Sequence, residues 1–359
     1  MYLLKKKNNL NKLYIFFFSF VLFINIISYS NSSENYFKVK EIEITNPFNT
    51  NFNKEKVINK GFKVAFFQMI SMIATTTDQK KIKKTSIDEI KNLIDSFTMS
   101  DEMFINDLYK VKFDVNFNKK NTLKFFEKKN IFPSIPKKKE VLLIPVYVDI
   151  DNNQISLFNN NIFYNIWNLD KKDFFLLKYI LPTEDLEDIN FILENKNSIE
   201  EYDFKKIIEK YDLNDFIIII INKNLKELKI LSKINLNNNS KILNQTFKEI
   251  EIGNDEFLSK IILQLKNSYE NYWKSLNEIN TSIKVPLTIS LDAKEYKKIL
   301  NFEKTISELD LVFSYEISYF NSEIIYYKLI YNGSPNKFIS DLKQKNIDVD
   351  LTEKIWKIK

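Results

Sequence analysis

The 359-residue sequence contains no histidine, no cysteine and only three glycines. Arginine is absent too, so all 53 basic residues are lysine. Without imidazole or thiolate there is no zinc, copper, haem or iron–sulfur site of the usual kind. Ser-His and Cys-His nucleophile pairs are excluded as well. Gly61, Gly253 and Gly333 stand far apart, which excludes a phosphate-cradling loop and a dinucleotide fingerprint. The missing guanidinium removes the bidentate clamp on phosphate or carboxylate. An AT-rich genome accounts for lysine in place of arginine, but less well for zero histidine. The chemistries left are a carboxylate pair, a Ser-Lys pair, or a hard cation on Asp and Glu. No catalytic residue, cofactor or metal ligand is assigned on this basis, and the chain reads as a non-enzyme.

What is present is a globular composition, 44% hydrophobic and 28% charged, long enough for two or three domains of roughly 100–150 residues. The N-terminus carries Lys5, Lys6, Lys7 and Lys12 with no acid. Leu13 to Ile27 follows, apolar except for Ser19 and Asn25, and then small residues at Ser28 and Ser30. That order is a secretory signal pattern. As a helix the apolar run spans roughly 22 Å, short of the ~30 Å bilayer core. Residues 1–30 are therefore expected to be a cleaved signal peptide, with an uncleaved anchor as the alternative. The mature protein is exported, periplasmic or held on the inner membrane facing the periplasm. Membrane contact is expected only through residues 13–27, if the leader is retained.

The net charge of +6 falls once the leader is set aside, because residues 1–30 hold four lysines and no acid. The remainder is close to neutral, so nucleic-acid binding is not expected. The runs Lys80-Lys81, Lys83-Lys84 and Lys137-Lys138-Lys139 read as solvated loops.

The pattern beyond the leader predicts an α+β protein of several small sheet-plus-helix domains. The first spans 36–130. Phe37 to Ile44 reads as a strand, Asn53 opens a helix, and a second helix holds Ile87, Ile90, Leu93 and Ile94. Tyr109 to Phe117 alternates strictly, as in a strand with one wet face. Residues 131–140, with Pro133 and Pro136, read as a linker. A middle α/β layer domain spans 141–280. Its continuous apolar runs Val141–Val148 and Phe216–Ile221 predict strands buried on both faces. Ile230–Leu236 and Phe247–Ile252 predict two more strands, and a long helix runs from about Asp255 to Asn277. The last domain, 285–359, reads as strand, helix, two strands, helix and a strand near Ile355–Ile358. That βαββαβ order is the ferredoxin-like split unit, with Ser334 as cap and Pro335 at the first turn of its second helix.

Several segments together resemble a proteobacterial family of exported proteins, known as domain of unknown function two thousand and sixty-six. They are the first strand and helix, Tyr109-Lys110-Val111-Lys112-Phe113-Asp114, the Leu123 helix and Leu142-Leu143-Ile144-Pro145-Val146. Asn165-Ile166-Trp167 and the stretch Leu181 to Asp188 add to these. The resemblance would cover nearly all of the chain beyond the leader. It implies no activity and carries over no catalytic residue.

Two constellations are candidate surfaces. Glu184, Asp185, Glu187 and Asp188 form the densest acidic cluster, able in principle to hold a hard cation or supply a carboxylate pair. The competing reading is a helix N-terminus, with Thr183 or Asp185 as cap. Asp149-Ile150-Asp151-Asn152-Asn153 reads as a polar strand turn rather than a calcium loop. Phe163, Tyr164, Trp167, Phe174 and Phe175 are either core or the lining of a groove. Trp167, Phe163, Tyr164, Glu184, Asp185 and Asp188 are thus the candidate ligand or partner surface. The expectation is an exported interaction or assembly factor with a protein partner in the cell envelope. The alternative is a carboxylate-dependent protein that binds or cleaves a glycan.

Overall fold

The computed structural model describes residues 37–169, 175–251, 253–280, 283–352 and 355–359. The leader and Phe174 lie outside the described residues. Among the described residues the fold is α+β, with three sheets and ten helices.

The first sheet is built from β1 (Lys38–Pro47), α1 (Lys54–Ile73), α2 (Thr76–Ile82), α3 (Ile87–Lys91), β2 (Ile94–Ile105), β3 (Leu108–Phe117) and α4 (Lys119–Lys128). The strands are antiparallel in the order β1-β3-β2. Alternation does what the sequence predicts: Tyr109, Val111, Phe113, Val115 and Phe117 are buried beneath the helices. Asn53 caps α1 by accepting from the Lys56 amide, and the buried face of α1 includes Phe62, Ala65, Phe66 and Met69. Gly61 lets that helix approach β3, because a Cβ there would sit 2.9 Å from the Phe113 ring.

The middle sheet holds β4 (Lys139–Asp149), β5 (Gln154–Ser156), α5 (Ile162–Ile166), β6 (Leu177–Ile180), α6 (Leu186–Glu194), α7 (Lys205–Ile208), β7 (Phe216–Asn224), β8 (Glu227–Leu236), β9 (Asn239–Lys248) and α8 (Asp255–Leu276). Its order is β5-β4-β7-β8-β9, with β6 also on β4. β4 and β7 are parallel and buried on both faces. Val141, Leu143, Ile217, Ile219 and Ile221 face the core that includes α8. Leu142, Ile144, Val146, Ile218 and Ile220 join Ile192 and Ile207 on the other side. Each such side chain contributes about 1.5–3 kcal/mol of burial. Pro145 is tolerated in β4 because it falls between the stretches paired with β6 and β5. No ladder bond is lost there, and its carbonyl accepts from Asn161 Nδ2 at 3.0 Å. The β8–β9 hairpin turns on Asn237 and Asn238, both at positive φ, where asparagine is among the best-tolerated residues.

The third sheet holds β10 (Val285–Asp292), α9 (Tyr296–Glu308), β11 (Val312–Phe320), β12 (Ile324–Tyr331), α10 (Pro335–Gln344), β13 (Val349–Asp350) and β14 (Trp356–Ile358). Its order is β11-β12-β10-β14-β13. Ser334 caps α10 and Pro335 opens it. The end of the chain differs from the expected single strand. β13 lies at the edge, and β14 sits between it and β10, parallel to β10. That pairing departs from the all-antiparallel order of a split βαββαβ unit.

Other expectations are corrected by the same physics. Ile94 does not continue a helix: α3 ends at Lys91 and Ile94 opens β2. Register shifts at Ile94/Ser96 and Ser100/Met103 break the period of two that would have marked the strand. The fourth middle strand lies earlier than Phe247–Ile252, at Asn239–Lys248, its start hidden by turn-forming asparagines. The 131–140 linker is no free tether. Ile131 and Ser134 are buried, Ser134 N donates to Ile73 O at 2.7 Å, and Ile135 N donates to Asn277 O at 2.8 Å.

Replacing Gly61 tests the close approach of α1 to β3. Gly61→Ala raises helix propensity, yet it is expected to lower the denaturant midpoint by the equivalent of about 1–3 kcal/mol of overpacking. An unchanged or higher midpoint would contradict the contact.

Candidate partner surface and buried charge seam

α8 carries Lys266, Glu270 and Lys274 four residues apart, so the three lie on one helical face. All three are buried, Glu270 with 1% of its surface exposed. Each holds a different piece of the chain. Lys266 donates to Trp167 O at 2.6 Å and lies over the rings of Trp167, Phe175 and Tyr179. Glu270 Oε1 accepts the Leu176 and Leu177 amides at 2.9 and 2.7 Å, where β6 begins. Lys274 donates to Ser71 O and Ala74 O at the end of α1, where a cation meets the negative end of the helix dipole.

Burial pushes the Glu270 carboxyl above the usual carboxylate range, against the pull of the two amides and Lys274. Burial likewise lowers the Lys274 ammonium, which Glu270 partly offsets. Glu270 Oε2 has no hydrogen-bond partner. Beside the pair lies a cavity of about 180 Å³ whose walls include Ser71, Phe175 and Asn267. A carboxyl and an ammonium in a dry site can exchange a proton. Here, though, one carboxylate oxygen and the ammonium are engaged by backbone groups, so the arrangement is a fastening. The sequence signal was Lys, Glu and Lys at spacing four beside an apolar stripe. Charges flanking an apolar stripe are usually solvated, so the spacing alone does not mark them as buried.

The acidic candidates are likewise used internally. Asp185 caps α6, accepting the Glu187 amide at 2.8 Å. Lys210 Nζ reaches Asp185 at 2.9 Å, Glu187 at 3.4 Å and Asp188 at 2.6 Å. Hydrogen bonds to Asp188 and Asp185 raise the Lys210 ammonium, and Lys210 with the Glu187 amide lowers the Asp185 carboxyl. Asp188 is fully buried. Glu184 accepts from Asn159 at 3.1 Å. Among the described residues no group of three or more acids is arranged to hold a metal ion. Asp149 and Asp151 share Lys223 at the turn.

The aromatic candidates do not form a groove. Phe163 and Trp167 are fully buried in the α8 core, where Tyr179 meets the Trp167 ring edge-on and Tyr269 stacks on it. Tyr164 is half-buried and donates to Pro182 O at 2.7 Å. As a partner surface, then, Trp167, Phe163 and Asp188 are corrected to interior positions.

Exposed apolar surface gathers elsewhere, at the tip of the β2–β3 hairpin. Asn106 and Asp107 take positive φ there and fold the two strands back on each other. Phe104 is 58% exposed and Phe48 is 44% exposed, with ring centroids 4.8 Å apart. Phe52 and Tyr109 extend the cluster inward at 4.9–5.0 Å. Met103 and Ile105 are also exposed. Tyr109 donates to Glu102 at 2.7 Å and Lys54 pairs with Glu102 at 2.9 Å, which anchors the tip. An open cavity of about 630 Å³ adjoins Met103 on the outer face of the sheet, with Glu43, Asp101, Lys110 and Lys112 on its walls. The sequence reading missed this cluster because β2 itself was missed.

No family model and no curated protein matches the chain. One solved structure, described as that of an uncharacterized protein, aligns with 39% of this chain and 91% of its own. Its sequence identity is 11% and its TM-score 0.17, too low to bear on fold or function. No helix among the described residues is long and apolar enough to cross a membrane.

Two substitutions test these assignments. Lys210→Met strands the buried Asp188 carboxylate and is expected to cost roughly 2–4 kcal/mol in chemical denaturation. A loss below the error of the measurement would mean that Asp188 does not need its cation. For Glu270 the raised pKa sets the sign. Its contribution is fully present below the unfolded carboxyl pKa and is lost as pH rises through the folded value. The stability difference between Glu270→Gln and wild type should therefore tilt towards the variant from about pH 4 upward. A tilt towards wild type over that window would contradict the assignment.

Proposed function

We propose that this chain is an exported protein of the cell envelope that works by protein–protein contact, gripping its partner with the tip of the β2–β3 hairpin. The observation that carries the reading is the exposed Phe48–Phe104 pair, with Met103 and Ile105 exposed on the opposite face of the same tip. Water-facing aromatic clusters on an anchored hairpin are costly to leave bare and are common at partner interfaces. The leader pattern supports export to the periplasm, where the protein is free or held by an uncleaved residue 13–27 segment. A chain with no imidazole, thiol or guanidinium is also better suited to binding than to most catalysis. The family resemblance agrees with export and implies no activity, and the third sheet is read as a variant of the ferredoxin-like unit in which β14, parallel to β10, lies between β10 and β13. The glycan reading needs two free carboxyls facing each other, and its candidates are occupied by Lys210, Asn159 and the α6 cap.

A photo-crosslinking residue at Phe104, in the full chain expressed in its native envelope, tests the proposal. One or two discrete protein adducts are expected, absent when the probe sits at the exposed Lys343. Adducts no different from those of the Lys343 control would overturn it. N-terminal sequencing of the mature protein tests the leader: a start near residues 29–33 is expected, and an intact Met1 would indicate the anchor instead.

A further inference from the structure

A sheet edge offers unpaired backbone groups to any extended chain, and proteins blunt such edges with bulges, prolines or short strands. Five of the long or short edges among the described residues are blunted in these ways. β1 shifts register between Val39 and Ile42 and ends at Pro47. β2 and β11 each shift register twice. β5 has three residues and β13 two, and β6, which shares its edge with β5, has four.

β9 is different. It pairs with β8 without a break from Leu236↔Asn239 to Glu227↔Lys248, and it ends the sheet. Its other edge has no strand beside it, and alternate residues from Ser240 to Lys248 turn their backbone groups towards it. One face of this edge is built for an added strand: Leu243 and Phe247 pack against the α8 core, and Gln245 bonds Ser268 on α8. A strand laid beside β9 would extend that half-covered surface. On the outer face Ile242 is 65% exposed.

Charge selects the occupant. β9 carries Lys241 and Lys248 and no acid. Lys241 lies over the Tyr272 ring at 4.7 Å. On β8 the outer face adds Lys229 and Lys233, with Glu227 the one acid opposite Lys248. A second copy would bring the same two lysines and no acid to this edge, so it offers them no counter-charge. A partner strand with acids at those two places gains an attraction that a second copy lacks.

We propose that β9 binds an extended acidic segment of a partner protein as an added antiparallel strand, its carboxylates facing Lys248 and Lys241 and apolar residues between them facing the α8 side. The proposal rests on the interaction-protein reading in needing a protein partner, but uses a different surface from the hairpin tip. Main-chain hydrogen bonds supply affinity in this mode and alternate side chains supply specificity.

The probe is the peptide EVTVTVTE, which places a glutamate opposite each lysine and its valines on the α8 side. With the full mature chain, saturable binding is expected, together with slowed hydrogen exchange of β9 backbone amides. The charge-reversed KVTVTVTK should bind at least about ten-fold more weakly, and EVTVPVTE should also weaken, because its proline falls opposite Asn244, whose backbone faces the free edge, and removes a ladder donor. A Lys241→Glu, Lys248→Glu variant, altered only at the surface, should reverse the preference between the two charged peptides. No saturable binding up to about 1 mM, equal binding of KVTVTVTK, or protection away from β9 would each overturn the proposal. Hairpin-tip crosslinks that persist when peptide binding fails would remove β9 alone. Peptide binding without tip crosslinks would remove the tip alone.

Discussion

The buried charges of α8 are the interaction on which the rest of the structure depends. Water would solvate Lys266, Glu270 and Lys274 well, so removing them from it is expensive. The fold offsets that cost by giving each group backbone partners from a different segment. Lys274 takes the end of α1, Glu270 the start of β6, and Lys266 the carbonyl of Trp167. Asn271 adds a two-bond clasp on Thr76, and Trp273 donates to Lys137 O at 2.7 Å. One helix thereby floors the middle sheet and ties down the first unit and the connection between them.

The third unit is joined by a different device. Lys119 Nζ donates to Leu309 O at 2.7 Å, and burial lowers its pKa to about 8. Lys284 pairs with Glu127 at 2.9 Å. Phe313 from β11 completes the core of the first sheet rather than that of its own. The three sheets are therefore not beads on a string. A segment that composition marks as a proline-bearing linker is held on both sides by backbone hydrogen bonds.

Legibility in the sequence followed the periodicities. The strict alternation of Tyr109–Phe117, the double-sided runs of β4 and β7, the long α8 stripe and the Ser334-Pro335 helix start were all readable, because burial there imposes a period on the residues. What escaped had no period to show. β2 is bulged, β5, β6 and β13 are too short, and β9 begins in asparagines that read as turn. The acidic cluster was legible as a cap, since Asp185 precedes an apolar helix with acids in its first turn. Its neutralisation by Lys210, 25 residues away from Asp185, was not. Trp167 and Phe163 were weighed as both core and groove, and only the placement of Tyr179, Tyr269 and Lys266 around Trp167 decides for core. The partner-facing tip was invisible because its strand was.

Native-state hydrogen exchange read residue by residue tests the central claim, that α8 fastens the first unit and the connecting segment to the middle sheet. The amides of Ser134, Ile135, Leu176 and Leu177 are the reporters, bonded to Ile73 O, Asn277 O and Glu270. The account predicts that they open only with β4 and β7, at the free energy of global unfolding. Exchange of Ser134 and Ile135 at near-unprotected rates, while β4 and β7 stay closed, would contradict it.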